Sequence, residues 1–306
     1  MNARIIVLNY NGLDIMKECM PSVVRAAERA KTQCKVSVID NSSTDGSVKW
    51  LKDTFPCVEV CESENRVLCS YNDFIKTVGE DIVILLNNDI KLDERCIDPL
   101  TGVFENRPDA FFVASKVFDF SGRKCEGNLT RFFFRGGLFG SEAVSGSCSE
   151  KPGLSMQQGF GAFDRKKFEA LGGYDEIYLP GRLEDADICF RAWKKGWKGY
   201  YEPSSVMYHK GGESFNRKFG AGKSLVINFR NTYVFTVKNL ELKYVFASLA
   251  LAIPRSLYFL CRFRPENLIG FIYSIPMMAG AFRKRKYRLK SRYRDSDLFN
   301  MILRGE

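Results

Sequence analysis

Ile82-Val83-Ile84-Leu85-Leu86-Asn87-Asn88-Asp89 is a run of apolar residues, its first three β-branched, closed by two amides and a carboxylate. An apolar run without polar alternation reads as a strand buried on both faces, as in a parallel sheet. Polar side chains at the C-terminal edge of such a strand are how open α/β sheets build a ligand crevice. Asp89 is a hard oxygen donor of the kind that takes Mg2+ or Mn2+ brought in by a diphosphate. The same Asn-rich ending also suits a plain turn, so the meaning of this stretch depends on its surroundings.

Upstream, Arg4-Ile5-Ile6-Val7-Leu8 is a short apolar run closed by Asn9-Tyr10-Asn11-Gly12, and a helical pattern follows over 13–30. Lys35-Val36-Ser37-Val38-Ile39-Asp40 is a second strand ending in a carboxylate. The polar loop after it offers Ser43 or Thr44 as a helix cap. A weaker strand is expected over 58–61 and a helix over 67–78. Strands alternating with helices at intervals of roughly 25 to 35 residues are the mark of a doubly wound parallel sheet. Right-handed crossovers put the strand ends at Asn9, Asp40 and Asn87 to Asp89 on one edge. Downstream, a helix is expected over 92–106 and a strand over 111–117. The Gly- and Ser-rich stretch 119–153, broken by Phe132-Phe133-Phe134, is read as a lid or acceptor-facing loop, with a plain surface loop as the alternative. A strand over 156–163 is expected near the site.

The chain of 306 residues has room for one large α/β domain and an appendage. Its net charge of +10 is concentrated. Arg283, Lys284, Arg285, Lys286, Arg288, Lys290, Arg292 and Arg294 crowd into 283–294 with no acid between them. That composition points to one local basic patch and not to a general nucleic-acid surface. The ten cysteines form no C-x-x-C pair, which speaks against a zinc site, and reduced thiols in a cytosolic setting are the expectation.

The set "VLNYNG … VIDNSSTDGS … ENRVLCSYND … ILLNNDIKLD" resembles family 2 glycosyltransferases of the GT-A fold over about residues 4–235. Within them it looks closest to the rhamnosyltransferase-like branch that builds bacterial surface polysaccharides. The resemblance implies that Asn9, Asn11 and Asp40 hold the nucleotide base, with Asn65 and Asn72 further along the donor. A carboxylate accepts the imide proton of uracil or thymine, so a dTDP- or UDP-sugar fits. Asn87, Asn88 and Asp89 stand where such enzymes often carry Asp-x-Asp. Asn87 can bond a ribose hydroxyl but adds no charge to a metal. Val67 stands where the family usually has Gly; a β-branched residue resists left-handed backbone angles, so this loop is expected to be shaped differently.

Arg182-Leu183-Glu184-Asp185-Ala186-Asp187-Ile188-Cys189-Phe190-Arg191 opens a helix. Acids in a first turn also serve the helix dipole. The match to the family's Glu-Asp-x-Asp-x-x-x-Arg segment implies that Asp185 is the catalytic base, with Glu184 beside it. Asp187 and Arg191, four apart, can pair on one face, and with Gln158 they form the expected acceptor-side or supporting shell. His209 is the only histidine. It follows the apolar run Val206-Met207-Tyr208, and the resemblance makes it a Mn2+ or Mg2+ ligand together with Asp89.

From 236 the composition changes to apolar runs broken by Pro254-Arg255, Arg262-Phe263-Arg264-Pro265 and Pro276. Neither run reaches the ~20 apolar residues of a spanning helix. Helices in the membrane plane with a polybasic segment fit better, a homodimer interface and a nucleic-acid arm being the alternatives. The expectation is thus a catalytic domain over 1–235 and a helical, basic, membrane-surface region over 236–306. The resemblance implies an inverting, metal-dependent glycosyltransferase, peripheral on the cytoplasmic face of a membrane. Its acceptor would be a hydroxyl of a lipid-linked saccharide. A sugar nucleotidyltransferase is the first alternative, weakened because no Gly-rich, basic loop follows Leu8. A non-catalytic nucleotide-sugar or glycan-binding subunit is the second.

Overall fold

The computed structural model describes residues 1–127, 129–144, 148–211, 219–285 and 291–301. The first half alternates as expected: β1 (Ala3–Asn9), α1 (Leu13–Arg29), β2 (Cys34–Asp40), α2 (Ser47–Thr54), β3 (Glu59–Glu62), α3 (Tyr71–Ile75) and β4 (Ile82–Asn87). Then come β5 (Ile90–Leu92), α4 (Ile97–Asn106), β6 (Ala110–Asp119), β7 (Thr130–Arg135), β8 (Leu138–Ala143), β9 (Gly153–Leu154), β10 (Gly161–Asp164) and α5 (Arg165–Ala170). The chain goes on through α6 (Glu184–Lys195), β11 (Lys198–His209), α7 (Ala221–Asn239), α8 (Leu242–Ala250), α9 (Ala252–Leu260), α10 (Glu266–Arg283) and α11 (Asp295–Phe299).

The central sheet runs β3-β2-β1-β4-β10-β6-β11-β5, with β9 against β11. From β3 to β4 it is parallel. Beyond β4 it is mixed, because β10 enters antiparallel between β4 and β6 while β6 and β11 pair in parallel. β4 is buried on both faces, as its composition requires. Ile82, Ile84 and Leu86 pack with Ile5, Val7, Met16, Met20, Leu100 and Phe104 on one side. Val83 and Leu85 pack with Ile6, Phe74, Phe163 and Phe190 on the other. The period of two in a strand divides the core between the two helical layers.

Several expectations change. The helix expected over 92–106 starts at Ile97, because Ile90–Leu92 pairs with Met207–His209 as a short antiparallel strand. Residues 67–78 give a 3-10 turn, Val67–Ser70, before the short α3. Neither Ser43 nor Thr44 caps α2: Gly46 sits at its N-cap, and Asp45 accepts from the Ser47 amide at 3.1 Å. The stretch 119–153 is not one loop. It holds the β7–β8 hairpin, whose Phe132 and Phe139 are buried against Phe190 of α6. Of the strand expected over 156–163, only Gly161–Asp164 is extended in the sheet.

The expectation of reduced thiols is also corrected. Cys125 and Cys148 form a disulfide, their Cα atoms 6.2 Å apart, while the other eight cysteines are unpaired. The tail is helical, with α7 packed lengthwise on α10. Residues 286–290, the middle of the basic run, lie outside the described residues.

Candidate active site

Parallel register brings the strand ends together: Asn9 lies opposite Asp40, and Leu8 opposite Asn87. They border a cavity of about 1050 Å3 that is walled also by the β7–β8 hairpin, the turn before α6 and one side of α7. Asn9 is fully buried and spends its side chain within the protein. Its amide donates to Asp40 at 2.8 Å, and its carbonyl oxygen accepts from Asn88 at 2.8 Å. Gly12 permits this pairing. A Cβ there would stand 2.1 Å from the Asn88 amide nitrogen, so any side chain would force the two asparagines apart.

Asn9, Asn11, Asn65, Asn87, Asn88 and Asp89 all reach the cavity. Asp40 does not. It is buried, with one oxygen taken by Asn9 and the other accepting from the Ser43 amide at 2.7 Å. The expectation that it touches a base is replaced by a supporting role, and the next residue, Asn41, lines the cavity instead. Asn72 is likewise spent elsewhere: its side chain pairs with both backbone groups of Tyr174 at 2.8 Å, stapling α3 to that turn. Val67 adopts φ 53, the left-handed angle that a β-branched residue was expected to refuse. Asn65 accepts from the Val67 amide at 3.2 Å, and Asn41 donates to its carbonyl at 3.4 Å. Strain of this kind persists only where neighbours over-determine the backbone.

Asp89 and His209 meet because β5 turns back immediately after Asp89 and pairs with the end of β11. His209 Nε2 lies 3.6 Å from Asp89 Oδ2. Asp89 Oδ1 is buried without a hydrogen-bond partner among the described residues. An orphaned carboxylate oxygen beside an imidazole nitrogen on one cavity wall fits Mn2+ or Mg2+. Among the described residues no group of three or more His, Cys, Asp or Glu converges on one point, so two protein donors would leave most positions to other oxygens. On its other side the ring meets Glu126, with Nδ1 2.7 Å from Oε2. Burial opposes a charge on His209, but the Asp89 and Glu126 carboxylates outweigh it and hold the pKa above the ordinary imidazole value.

Asp185 sits at the start of α6, behind Arg182 (φ 76) and Leu183 (φ 73). Two consecutive non-glycine residues in the left-handed region swing the helix start into the cavity wall. One side chain of α7 holds this turn. The Asn231 amide lies 2.8 Å from Tyr178 O, 2.8 Å from Gly181 O and 2.9 Å from Arg182 O. Asp185 Oδ2 accepts from Gln157 at 2.9 Å, and Oδ1 from the Ala186 amide at 2.8 Å. Burial raises the Asp185 pKa against these hydrogen bonds. For Glu184, burial and then the Asp185 charge push the pKa up to about 8. Two adjacent carboxyls with raised pKa values in a cleft are the mark of a proton acceptor.

Asp187 and Arg191 pair at 2.6 Å, as their spacing predicts. Both are buried in the protein and apart from the cavity lining. Asp187 also accepts from Tyr178 at 2.8 Å and from Lys238 and Asn239 at 2.7 Å. It therefore locks α6 to α7, and the acceptor-side expectation for this pair is withdrawn. Gln158 is corrected too. It is buried and turned to Ala162 O at 3.5 Å, whereas Gln157 lines the cavity. Thr130, at the start of β7, fixes Gln157 by accepting from its amide and donating to its carbonyl, each at 2.8 Å. Gln157, Glu126, Thr130 and Asn231 were missed in the sequence because nothing local sets them apart.

The sequence model described as "Glycosyl transferase family 2" matches residues 4–170. A search of curated protein sequences finds no match. Among solved structures, GalNAc-T7 with UDP, GalNAc and Mn2+ superposes with a TM-score of 0.60 at 17% identity. That alignment covers 78% of this chain and 48% of GalNAc-T7, so the chain spans about half the length of that protein. S. aureus TarS 1-349 in complex with UDP-GlcNAc gives 0.59 at 13% identity, covering 92% of this chain and 82% of that one. At these identities the likeness shows a shared fold, the GT-A architecture that the family resemblance implied. With more than half its length matched by the family's sequence model, the chain belongs to glycosyl transferase family 2.

Proposed function

We propose that this glycosyltransferase is inverting and metal-dependent, moving rhamnose or a hexose from a dTDP- or UDP-sugar to a hydroxyl of a lipid-linked saccharide in surface polysaccharide synthesis. The observation that carries the reading is the convergence of Asp89, Asp185 and His209, distant in sequence, on one cavity. TarS is described with UDP-GlcNAc and GalNAc-T7 with UDP and Mn2+, which favours a pyrimidine nucleotide and a divalent cation here.

Asn11, Asn41, Asn65, Asn87 and Asn88 line the part of the cavity where the donor would sit. Asp89 and His209 would hold Mn2+ or Mg2+. That ion would neutralise the charge growing on the departing diphosphate. Asp185 takes the proton from the attacking acceptor hydroxyl, oriented by Gln157. Gly159 leaves room beside it: a Cβ there would come within 3.4 Å of Asp185 Oδ2. Burial and the Asp185 charge raise the Glu184 pKa to about 8, which disfavours it as a nucleophile and supports a single in-line displacement with inversion.

A peripheral place on the cytoplasmic face of a membrane is part of this proposal, and the helical tail supports the membrane contact. No described helix is long and apolar enough to cross one. Even so, Phe246 is 67% and Phe263 95% exposed, beside Leu242, Ile253, Leu257 and Tyr258. Exposed apolar side chains in a basic tail suit an anionic lipid surface. The test of the chemistry is Asp185→Asn. Transfer should fall by about 10²–10⁴-fold, the usual worth of a general base, with donor binding by calorimetry nearly unchanged. Transfer that persists would remove Asp185 from the role. His209→Ala should raise the Mn2+ concentration needed for half-maximal rate, and an unshifted titration would dismiss it as a ligand.

A further inference from the structure

We infer that Glu126 is the positioning residue of the cation site, holding His209 in the tautomer that leaves Nε2 free to bind. The inference rests on the reading of Asp89 and His209 as metal donors. His209 Nδ1 is 2.7 Å from Glu126 Oε2, while Nε2 faces Asp89 at 3.6 Å. The two ring nitrogens therefore meet two different carboxylates. A carboxylate can only accept, and only the Glu126 contact is short enough for a hydrogen bond, so in the neutral ring Nδ1 carries the hydrogen and Nε2 keeps its lone pair. Carboxylates placed this way behind a ligating histidine fix the ring and raise its basicity.

Glu126 is itself held in place. Its amide donates to Val117 O at 2.9 Å, and its neighbour Cys125 bridges to Phe118 and is bonded to Cys148. Phe160 packs on the imidazole with ring centroids 5.3 Å apart, so the ring is gripped from a second direction. Glu126 is not part of the cavity wall, which His209 reaches with its ring. It acts through the histidine and touches no reacting group. This is what separates it from Asp89.

The chain holds a single histidine, so every imidazole nitrogen signal belongs to His209. In 15N spectra of the full-length protein, taken above the imidazole titration and without metal, the wild type should show the Nδ1–H tautomer. Mn2+ should broaden those signals. Glu126→Ala should move the ring toward Nε2–H and weaken Mn2+ binding by about 10–100-fold, the range found when such supporting groups are removed. Glu126→Gln keeps an acceptor oxygen without the charge, so it should retain the tautomer and lose less affinity. Metal-free UDP binding, equal in all three, shows that each is folded. A wild-type response to Mn2+ that Glu126→Ala leaves intact would overturn the inference alone. Wild-type signals indifferent to Mn2+ would overturn the metal reading and take the inference with it.

Discussion

Glu184 and Asp187, three residues apart on α6, are both buried, yet their pKa values move in opposite directions. For Glu184, desolvation and the neighbouring Asp185 charge outweigh the Arg182 cation, so its pKa rises from 4.5 to about 8. Desolvation works on Asp187 too, but Arg191 and Lys238 overcome it and hold the pKa well below the usual carboxylate value. The signs for stability follow. A carboxyl with a raised folded pKa binds its proton more tightly in the fold, so its contribution is full below about pH 4.5 and is lost as pH climbs toward 8. Glutamine mimics the protonated form. Glu184→Gln should therefore melt like the wild type near pH 4 and above it by an increasing margin toward pH 8, read by calorimetry. A margin independent of pH would contradict the assigned ionisation. Asp187 behaves inversely, stabilising above about pH 4 and failing as pH drops. Lys238→Met strips buried Asp187 and Asp175 of a shared cation at 2.7 and 2.8 Å, and should cost about 3–5 kcal/mol of stability by urea unfolding.

At the level of elements, two contacts tie Asp185 to parts of the chain far from α6. Thr130 links the β7–β8 hairpin to Gln157, and Gln157 holds Asp185. Thr130→Val keeps the shape and removes the hydroxyl, so the catalytic rate should fall while donor affinity stays, with about 1–3 kcal/mol lost in stability from the unpaired groups. An unchanged rate would show that Gln157 is held adequately without it. The second tie is Asn231, which keeps the left-handed turn at Arg182 and Leu183 closed from α7. Asn231→Leu should release that strain and lower the rate constant more than donor affinity. The hairpin wall is in turn braced by Phe139, stacked on Phe235 with ring centroids 3.9 Å apart.

For the whole molecule, the catalytic half and the apolar tail are joined by packing and not by a loose linker. α7 carries Asn231, Lys238 and Asn239 into the site's support and also packs along α10. Arg255 of α9 donates to Gly136 O at the hairpin tip and to the Tyr233 hydroxyl at 2.8 Å. Part of the basic run serves the fold, since Lys284 pairs with Asp175 at 2.6 Å and Arg285 donates to Leu240 O at 2.8 Å. The proposed membrane contact is therefore tested at the exposed apolar side chains. Replacing Phe246, Leu257 and Phe263 together by serine should abolish flotation with anionic vesicles while leaving transfer to a soluble acceptor analogue near wild type. Flotation equal to wild type would place the contact elsewhere, and RNA retention without flotation would reject the lipid reading.

What the sequence alone determined is the front of the sheet and the chemistry of its edge. Ile82 to Leu86 is too apolar to sit anywhere but between two layers, and the strands around it are spaced for short parallel crossovers. These are local patterns that burial enforces directly. Asn9, Asp89, Asp185 and His209 stood out as candidates for the same reason, each at or beside the end of an element with a strong pattern of its own. Tertiary structure alone decided which of two neighbours faces the cavity. Asn41 borders it and Asp40 does not, and Gln157 borders it and Gln158 does not, because each pair sits where the chain leaves regular structure and no composition records which neighbour turns inward. It alone decided that Glu126 stands behind His209, and that Asn231 closes the turn before Asp185. Such polar partners are chosen by long-range packing, since a buried donor or acceptor must be satisfied by whatever group the fold brings within about 3 Å.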